Sequence, residues 1–465
     1  MTFALLLAAL TAAAPAPRTL RVDYAHGGDA AAESFALERL VLEPLPFPGN
    51  PARPLDETNL GKYLFEVRDQ ATNRLLYSRG FATIFGEWES TPEARKLRRS
   101  FSESLRFPRP ERPAQVLVKK RDAANVFREV WSFPVDPADP AIDPSPPPSA
   151  GPLVELQKSG PPAEKLDLLI LGDGYTAAER GKFVADARRL VEALFQKSPF
   201  KERRADFNVW GLCPPAAESG ISRPSSGVHR RSPLGATYDA FGAERYVLTF
   251  ENRAWRDYAS WAPYDAVEIL VNGRTYGGGG IFNLYSTVAS DSLWAPYVFV
   301  HELGHHLAGL ADEYFTSDPV YGPAPAERVE PWERNATALA DPAAPKWKAL
   351  VTPGTPVPTP WQEERFSIEA RAFQEERKKL RKEGRPEAEI DRLFSAQKQA
   401  EEKLLGGDRY ARAVGAFEGA NYEARGYYRP QEDCVMFTRD DVPFCAVCRA
   451  TLDEVIDLHA GGSRR

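Results

Sequence analysis

The chain is poor in the residues that staple small or exposed folds. Of its 465 residues, four are cysteines and two are methionines. Four cysteines cannot build the dense disulfide framework of a small secreted scaffold, so an apolar core has to stabilise the fold. Apolar runs of membrane-spanning length are missing as well. The run near the amino terminus, Phe3 to Ala14, covers twelve residues, whereas a spanning helix needs roughly 20. Nor is there an excess of one charge: 59 basic against 65 acidic side chains leave −6. That balance gives no footprint for nucleic acid and no attraction to an acidic membrane. What remains, 43% hydrophobic and 27% charged residues, is ordinary globular composition over a length that suits two or three domains.

The short apolar run is followed by Pro15 and Pro17 and carries small residues at Ala12 to Ala14. It reads as a signal peptide over residues 1–18, so export to the periplasm, cell surface or medium is expected, although no Lys or Arg precedes it. From 19 to 132 the pattern is one of short strands and turns. Tyr63–Arg68 and Leu75–Ser78 flank a turn, and Phe81–Phe85 and Val116–Lys119 continue the series. An amino-terminal antiparallel β-sandwich is predicted, for binding or packing. Residues 133–152 hold eight prolines in twenty positions and read as an extended linker outside any sheet. Beyond it, Leu166–Leu171, a helix opened by Thr176 with Glu179 three residues on, and Phe207–Leu212 give strand, helix, strand. The chain is thus α+β, with an α/β domain over 153–465. Within it, 362–405 carries eleven acidic and eleven basic residues. With Phe366, Phe373 and Leu380 at sevenfold spacing, it is predicted to be an inserted helical hairpin with a solvated face; a partner-binding arm is the competing reading.

Chemistry concentrates in Val298-Phe-Val-His-Glu-Leu-Gly-His-His-Leu-Ala-Gly-Leu-Ala-Asp-Glu-Tyr314. His301 and His305 stand four apart, on one face of a helix, which is the spacing two imidazoles need to share a zinc ion. Glu302 lies beside them, as the general base of an HExxH centre does. Three of the six histidines fall within 301–306, so chance is a poor explanation. Gly309 ends the helix, and a third ligand is expected just beyond it: Asp312, with Glu313 as alternative. His306 points about 100° away from His305 and suits packing. Met436, the sole internal methionine, suits the apolar floor under such a metal. Cys434, Cys445 and Cys448 cluster around it. In an exported protein they suggest a disulfide, Cys434 with Cys445 or Cys448, and a structural zinc is the alternative. Gly277, Gly278, Gly279 and Gly280 precede the zinc helix and suit either close approach of a substrate backbone or a flexible turn. Tyr427 and Tyr428 are candidates for oxyanion stabilisation.

These residues resemble the IgA-peptidase-like metallopeptidases, family 64 of the metzincin clan. The resemblance rests on Tyr77–Phe81, Phe85–Trp88 and Ser104–Pro108 in the first domain. Leu171–Thr176, Tyr276–Gly280, His301–Tyr314, Cys434–Met436 and Phe444–Cys448 carry it in the second. It implies a metzincin domain with one catalytic Zn²⁺, endopeptidase action on protein or peptide substrates, and a glutamate base. It does not imply immunoglobulin A as substrate, nor any oligomeric state. The competing class is a surface adhesion or glycan-binding module with a vestigial metal site, which would be expected to have lost Glu302.

Overall fold

Alternation of buried and solvent-facing residues shapes the amino-terminal half. The computed structural model describes residues 17–317, 322 and 328–461. The predicted signal segment lies outside these residues, except for Pro17 and for Arg18, which opens the first strand. Strands β1 (Arg18–Gly28), β2 (Glu33–Pro46), β3 (Tyr63–Asp69) and β4 (Leu75–Phe81) precede a short helix, α1 (Ile84–Trp88). Then come β5 (Arg99–Pro108), β6 (Ala114–Arg121), β7 (Phe127–Val135) and β8 (Ile142–Asp143). They form two sheets, β5-β1-β2-β8 and β4-β3-β6-β7. Leu20, Val22 and Tyr24 of β1 point inward at every second position and meet Phe65, Val67, Val116 and Val118 of the facing sheet. Burying each such side chain is worth about 1.5–3 kcal/mol.

Two expectations for this half are corrected. Phe81–Phe85 does not continue as a strand: β4 stops at Phe81, and Thr83 caps α1 by accepting the Gly86 N–H at 2.8 Å. Its apolar residues join the core of the second half, with Phe85 and Trp88 fully buried, while Phe85 also stacks on His26 of β1 at 4.1 Å. The proline-rich stretch also enters the sheets. Phe133 and Val135 pair with Val116 and Ala114, and Ile142–Asp143 pairs in parallel with Leu40–Val41. Proline lacks an amide donor but is tolerated at an edge, and both β7 and β8 are edge strands.

The second half is built on a six-stranded sheet. Its elements are β9 (Val154–Gln157), β10 (Leu166–Asp173), α2 (Arg180–Leu194), β11 (Phe207–Leu212), the short pair β12 (Ala236–Thr237) and β13 (Leu248–Thr249), α3 (Asn252–Ala259), β14 (Ala266–Val271), β15 (Gly278–Ile281), β16 (Tyr285–Ala289) and α4 (Ala295–Ala308). The order is β15-β16-β14-β10-β11-β9, parallel except for β9 and β15. Every residue of β10, β11 and β14 is buried, as parallel strands covered on both faces require. The Gly-Asp-Gly run that ends β10 is structural. Asp173 accepts Ser232 Oγ at 2.7 Å, Leu234 N at 3.0 Å and Ala236 N at 2.9 Å.

Beyond α4 lie α5 (Glu363–Lys382), α6 (Glu387–Leu404), β17 (Phe417–Ala420), β18 (Glu423–Arg429) and α7 (Ala446–His459). Helices α5 and α6 pack on each other. Their buried stripe differs from the sevenfold seam: Phe366, Ala370 and Gln374 are buried on α5, whereas Phe373 and Leu380 are partly exposed. That spacing is the 3.6-residue repeat of a straight helix lying on a protein surface, not a coiled-coil seam. The surface is the site itself. Phe394 packs edge-on against Tyr276 and Trp294, and Phe366 stacks on Phe437.

Candidate metal centre

Helix α4 carries His301, Glu302 and His305, and its end decides the site. Gly309 adopts φ +56°, and a Cβ there would stand 2.6 Å from the Trp332 ring. Glycine is needed for both reasons. The chain then doubles back. Asn335 fixes the return by accepting the Ala311 N–H at 2.8 Å and donating to the Ala311 carbonyl at 2.9 Å. Asp312 is thereby delivered to the histidines.

Three ligand atoms converge. Asp312 Oδ1 lies 3.1 Å from His301 Nε2 and 3.2 Å from His305 Nε2, and the two Nε2 atoms are 3.1 Å apart. The other ring nitrogens face carbonyl groups: Nδ1 of His301 is 3.0 Å from Val435 O, and Nδ1 of His305 is 2.5 Å from Leu310 O. A carbonyl can only accept, so each Nδ1 carries a proton, and in the neutral rings that bind metals each Nε2 lone pair faces inward. Burial would raise the Asp312 carboxyl, but His305 and His301 outweigh it and hold it well below the usual range. Burial would lower His305, yet Asp312 pushes it up to about 9. Two imidazoles and a carboxylate so placed ask for a cation. Burial raises the Glu302 carboxyl, against the opposing pull of His301 and His305.

Hydroxyls surround this triangle. Tyr422 donates to Asp312 Oδ2, and the Tyr297 hydroxyl is 3.1 Å from His301 Nδ1. The Tyr314 hydroxyl lies 3.3 Å from that of Tyr422 and 3.5 Å from Arg245 Nη2. Sequence reasoning missed these groups. Tyr297 sits four residues before His301, a helical spacing that could have been read. Asn335 and Tyr422 are 24 and 110 residues from the groups they hold, and no local pattern announces them. A cavity of about 650 Å³ opens above the triangle. Its wall combines His301, Glu302, His305 and Asp312 with Lys62 and Arg121 of the sandwich and Gln374 and Glu401 of α5 and α6.

Comparison with known families decides what kind of protein this is. Residues 154–456 match the family described as IgA Peptidase M64, and residues 13–132 match the Peptidase M64 N-terminus. The chain belongs to the M64 peptidase family. No curated relative matches it. The M64 assignment makes it a peptidase, and proteins its class of substrate.

Met436, His306 and the four glycines of this M64 peptidase lie around α4. Met436 is fully buried beneath the helix, where a Cβ on Gly304 would lie 3.1 Å from its Sδ. His306 is a packing residue: its Nε2 accepts the Val267 N–H at 3.0 Å, and its Nδ1 lies 3.1 Å from Ile281 O. The four glycines are not a flexible turn. A Cβ on Gly280 would stand 2.4 Å from Glu302 O, and one on Gly278 would stand 2.5 Å from Val298 Cγ1. Gly278 and Gly280 thus lie close to α4, while Gly277 and Gly279 lie close to Arg245–Val247, where added Cβ atoms would stand 2.8 Å from Arg245 O and 2.5 Å from the Tyr246 ring. The outer edge at Gly278 is already taken by Arg245–Val247, through Val247 N to Gly278 O at 3.0 Å.

Three expectations are corrected. Tyr427 donates to Val329 O at 3.0 Å and Tyr428 contacts Glu418 Oε1 at 3.4 Å, so neither hydroxyl serves the histidines. Glu313 turns away from the metal triangle, with Oε1 3.0 Å from Asn335 Nδ2 and 3.3 Å from Cys448 Sγ. It therefore does not compete with Asp312 for the histidine pair. The expected disulfide is not formed: Cys434, Cys445 and Cys448 are free, and Cys434 Sγ is 3.9 Å from Cys448 Sγ.

Proposed function

We propose that this M64 peptidase is an exported zinc endopeptidase of metzincin type, with Glu302 as general base. The observation that carries the reading is the convergence of His301 Nε2, His305 Nε2 and Asp312 Oδ1 within 3.2 Å of one another. The donor set fits zinc, which takes imidazole nitrogen at about 2.0–2.1 Å and carboxylate oxygen at about 2.0–2.2 Å, with an open position left for catalysis. A zinc ion held there would polarise a scissile carbonyl and acidify water. Glu302, on the cavity side of the same helix, takes the proton from the attacking water and passes it to the leaving amine. Tyr422 and Val435 keep Asp312 and His301 in register, and Arg245 and Tyr314 supply donors toward the charge that develops on the substrate.

An extended substrate would run beside β15. Gly278 is covered, so pairing would begin at Gly280, which faces the cavity. The helices α5 and α6 close the opposite side as a paired insertion and limit the bulk that can enter. The adhesion alternative needs a damaged site, yet Glu302 and all three ligands are present. Casein or gelatin turnover should stop with a chelator and return with zinc. Turnover unaffected by chelation would sink the zinc reading, and cleavage confined to terminal residues would sink the endopeptidase reading.

A further inference from the structure

A second group of metal-binding side chains lies behind the first. Glu313, Cys434, Cys445 and Cys448 are all buried, and their ligand atoms lie within 4.8 Å of one another. Sγ of Cys434 and Cys448 are 3.9 Å apart, and Glu313 Oε1 is 3.7 Å from Cys445 Sγ and 3.3 Å from Cys448 Sγ. A tetrahedral ion with metal–sulfur bonds of about 2.3 Å and metal–oxygen bonds of about 2.0 Å has sulfur–sulfur edges of about 3.8 Å and sulfur–oxygen edges of about 3.5 Å. The observed separations match those edges. A disulfide would need about 2.05 Å.

Backbone amides face two of the three sulfurs. Cys434 Sγ accepts the backbone N–H groups of Met436 at 3.4 Å and Cys445 at 3.2 Å, and Cys445 Sγ accepts that of Cys448 at 3.4 Å. Amide donors aimed at sulfur stabilise the deprotonated form that binds metals. Glu313 Oε2 is buried with no hydrogen-bond partner, and a cation beside the same carboxylate would offset part of that cost. Any disulfide within a set of three cysteines leaves one thiol over and the carboxylate unused. A cation uses all four groups.

We infer that Cys434, Cys445, Cys448 and Glu313 hold a second, structural zinc ion. It joins three segments that serve the catalytic centre. Glu313 follows Asp312 directly, and its amide donates to Met436 O at 2.8 Å. Cys434 precedes Val435, whose carbonyl faces His301 Nδ1. Cys445 caps α7. The ion thus ties the third-ligand turn to the methionine turn and to the final helix. With three sulfurs and four protein ligands the site is closed, as structural zinc sites are, so it positions residues and does no chemistry.

Metal analysis of the full chain tests this separately from the peptidase reading. Wild type should carry close to two zinc ions per chain. The double variant His301→Ala/His305→Ala should keep about one, and Cys445→Ser/Cys448→Ser should lose one. With cobalt in place of zinc, sulfur-to-metal charge-transfer absorption should persist in the histidine variant and vanish in the cysteine variant. If the cysteine variant does not fold, the histidine variant still decides. A histidine variant without metal, or with cobalt but no sulfur band, overturns the inference. So does a disulfide among Cys434, Cys445 and Cys448 in unreduced peptides.

Discussion

Asp312 and Glu313 are neighbours in the chain and face opposite ways. Asp312 Oδ1 stands 3.1 Å from His301 Nε2, and Glu313 Oε1 stands 3.3 Å from Cys448 Sγ. One turn therefore reaches two clusters of candidate ligands, one through each residue. Asp312→Ala should abolish tight binding at the histidine pair while leaving thiol-bound metal in place. Chelator competition, read with metal content, separates the two.

Glu302→Gln keeps the size of the side chain and removes the base. Peptidase activity should fall by about 10²–10⁴-fold, with metal content and melting temperature unchanged. If turnover stays near wild type, Glu302 does not move the proton.

Tyr422→Phe deletes the hydroxyl that donates to Asp312 Oδ2. Partners of this kind typically cost about 10–100-fold in metal affinity when removed. A competition titration should show that loss with the fold intact. Unchanged affinity would mean that the bond does not tune the carboxylate.

Gly280→Ala forces a Cβ to within 2.4 Å of Glu302 O and 2.9 Å of His305 Cβ. Overpacking of this kind costs about 1–3 kcal/mol. Activity should fall as well, because the displaced backbone carries Glu302 and His305, the proposed base and a proposed ligand. Full activity with an unchanged urea midpoint would refute the tight fit of β15 on α4.

Asp167 predicts a pH effect on stability. Burial, and then the charge of Asp265, raise its pKa to about 7. Its Oδ1 accepts from Trp210 Nε1 at 2.7 Å and Asn208 Nδ2 at 3.0 Å, while Oδ2 has no partner. The folded chain keeps a proton that the unfolded chain loses near pH 4, so this group's contribution falls as pH rises from about 4 to about 7 and is level above that. Asp167→Asn should remove the slope. Its stability relative to wild type should rise between pH 5 and 7.5 in urea titrations; an equal difference at both values would contradict the assignment.

Local chemistry was legible in the sequence; long-range placement was not. The spacing of His301, Glu302 and His305 and the helix-ending Gly309 are short-range patterns with one geometric solution. The capping pair Thr176 and Glu179 is another. Phe81–Phe85 misled because its aromatic, β-branched composition suits a strand, while Thr83 as a cap and the docking of Phe85 and Trp88 on another core decided for helix. The proline-rich stretch misled because proline excludes an interior strand but not an edge. Asn335 and Tyr422 reach the site through tertiary folding alone. The cysteines pointed to both a bridge and a metal, and Glu313, the residue that favours the metal, comes from the far side of the metal helix.

The location of α1 bears on how this peptidase can be controlled. Phe85, Trp88 and Phe101 share one apolar cluster with Val298 and Leu303 of α4, and Arg21 and Arg39 reach across to Asp257. Lys62 and Arg121 form part of the cavity wall. Nicking the chain between 136 and 150 would leave both fragments held together by that shared interior. Shedding the sandwich would strip the centre of its backing and expose its core to water.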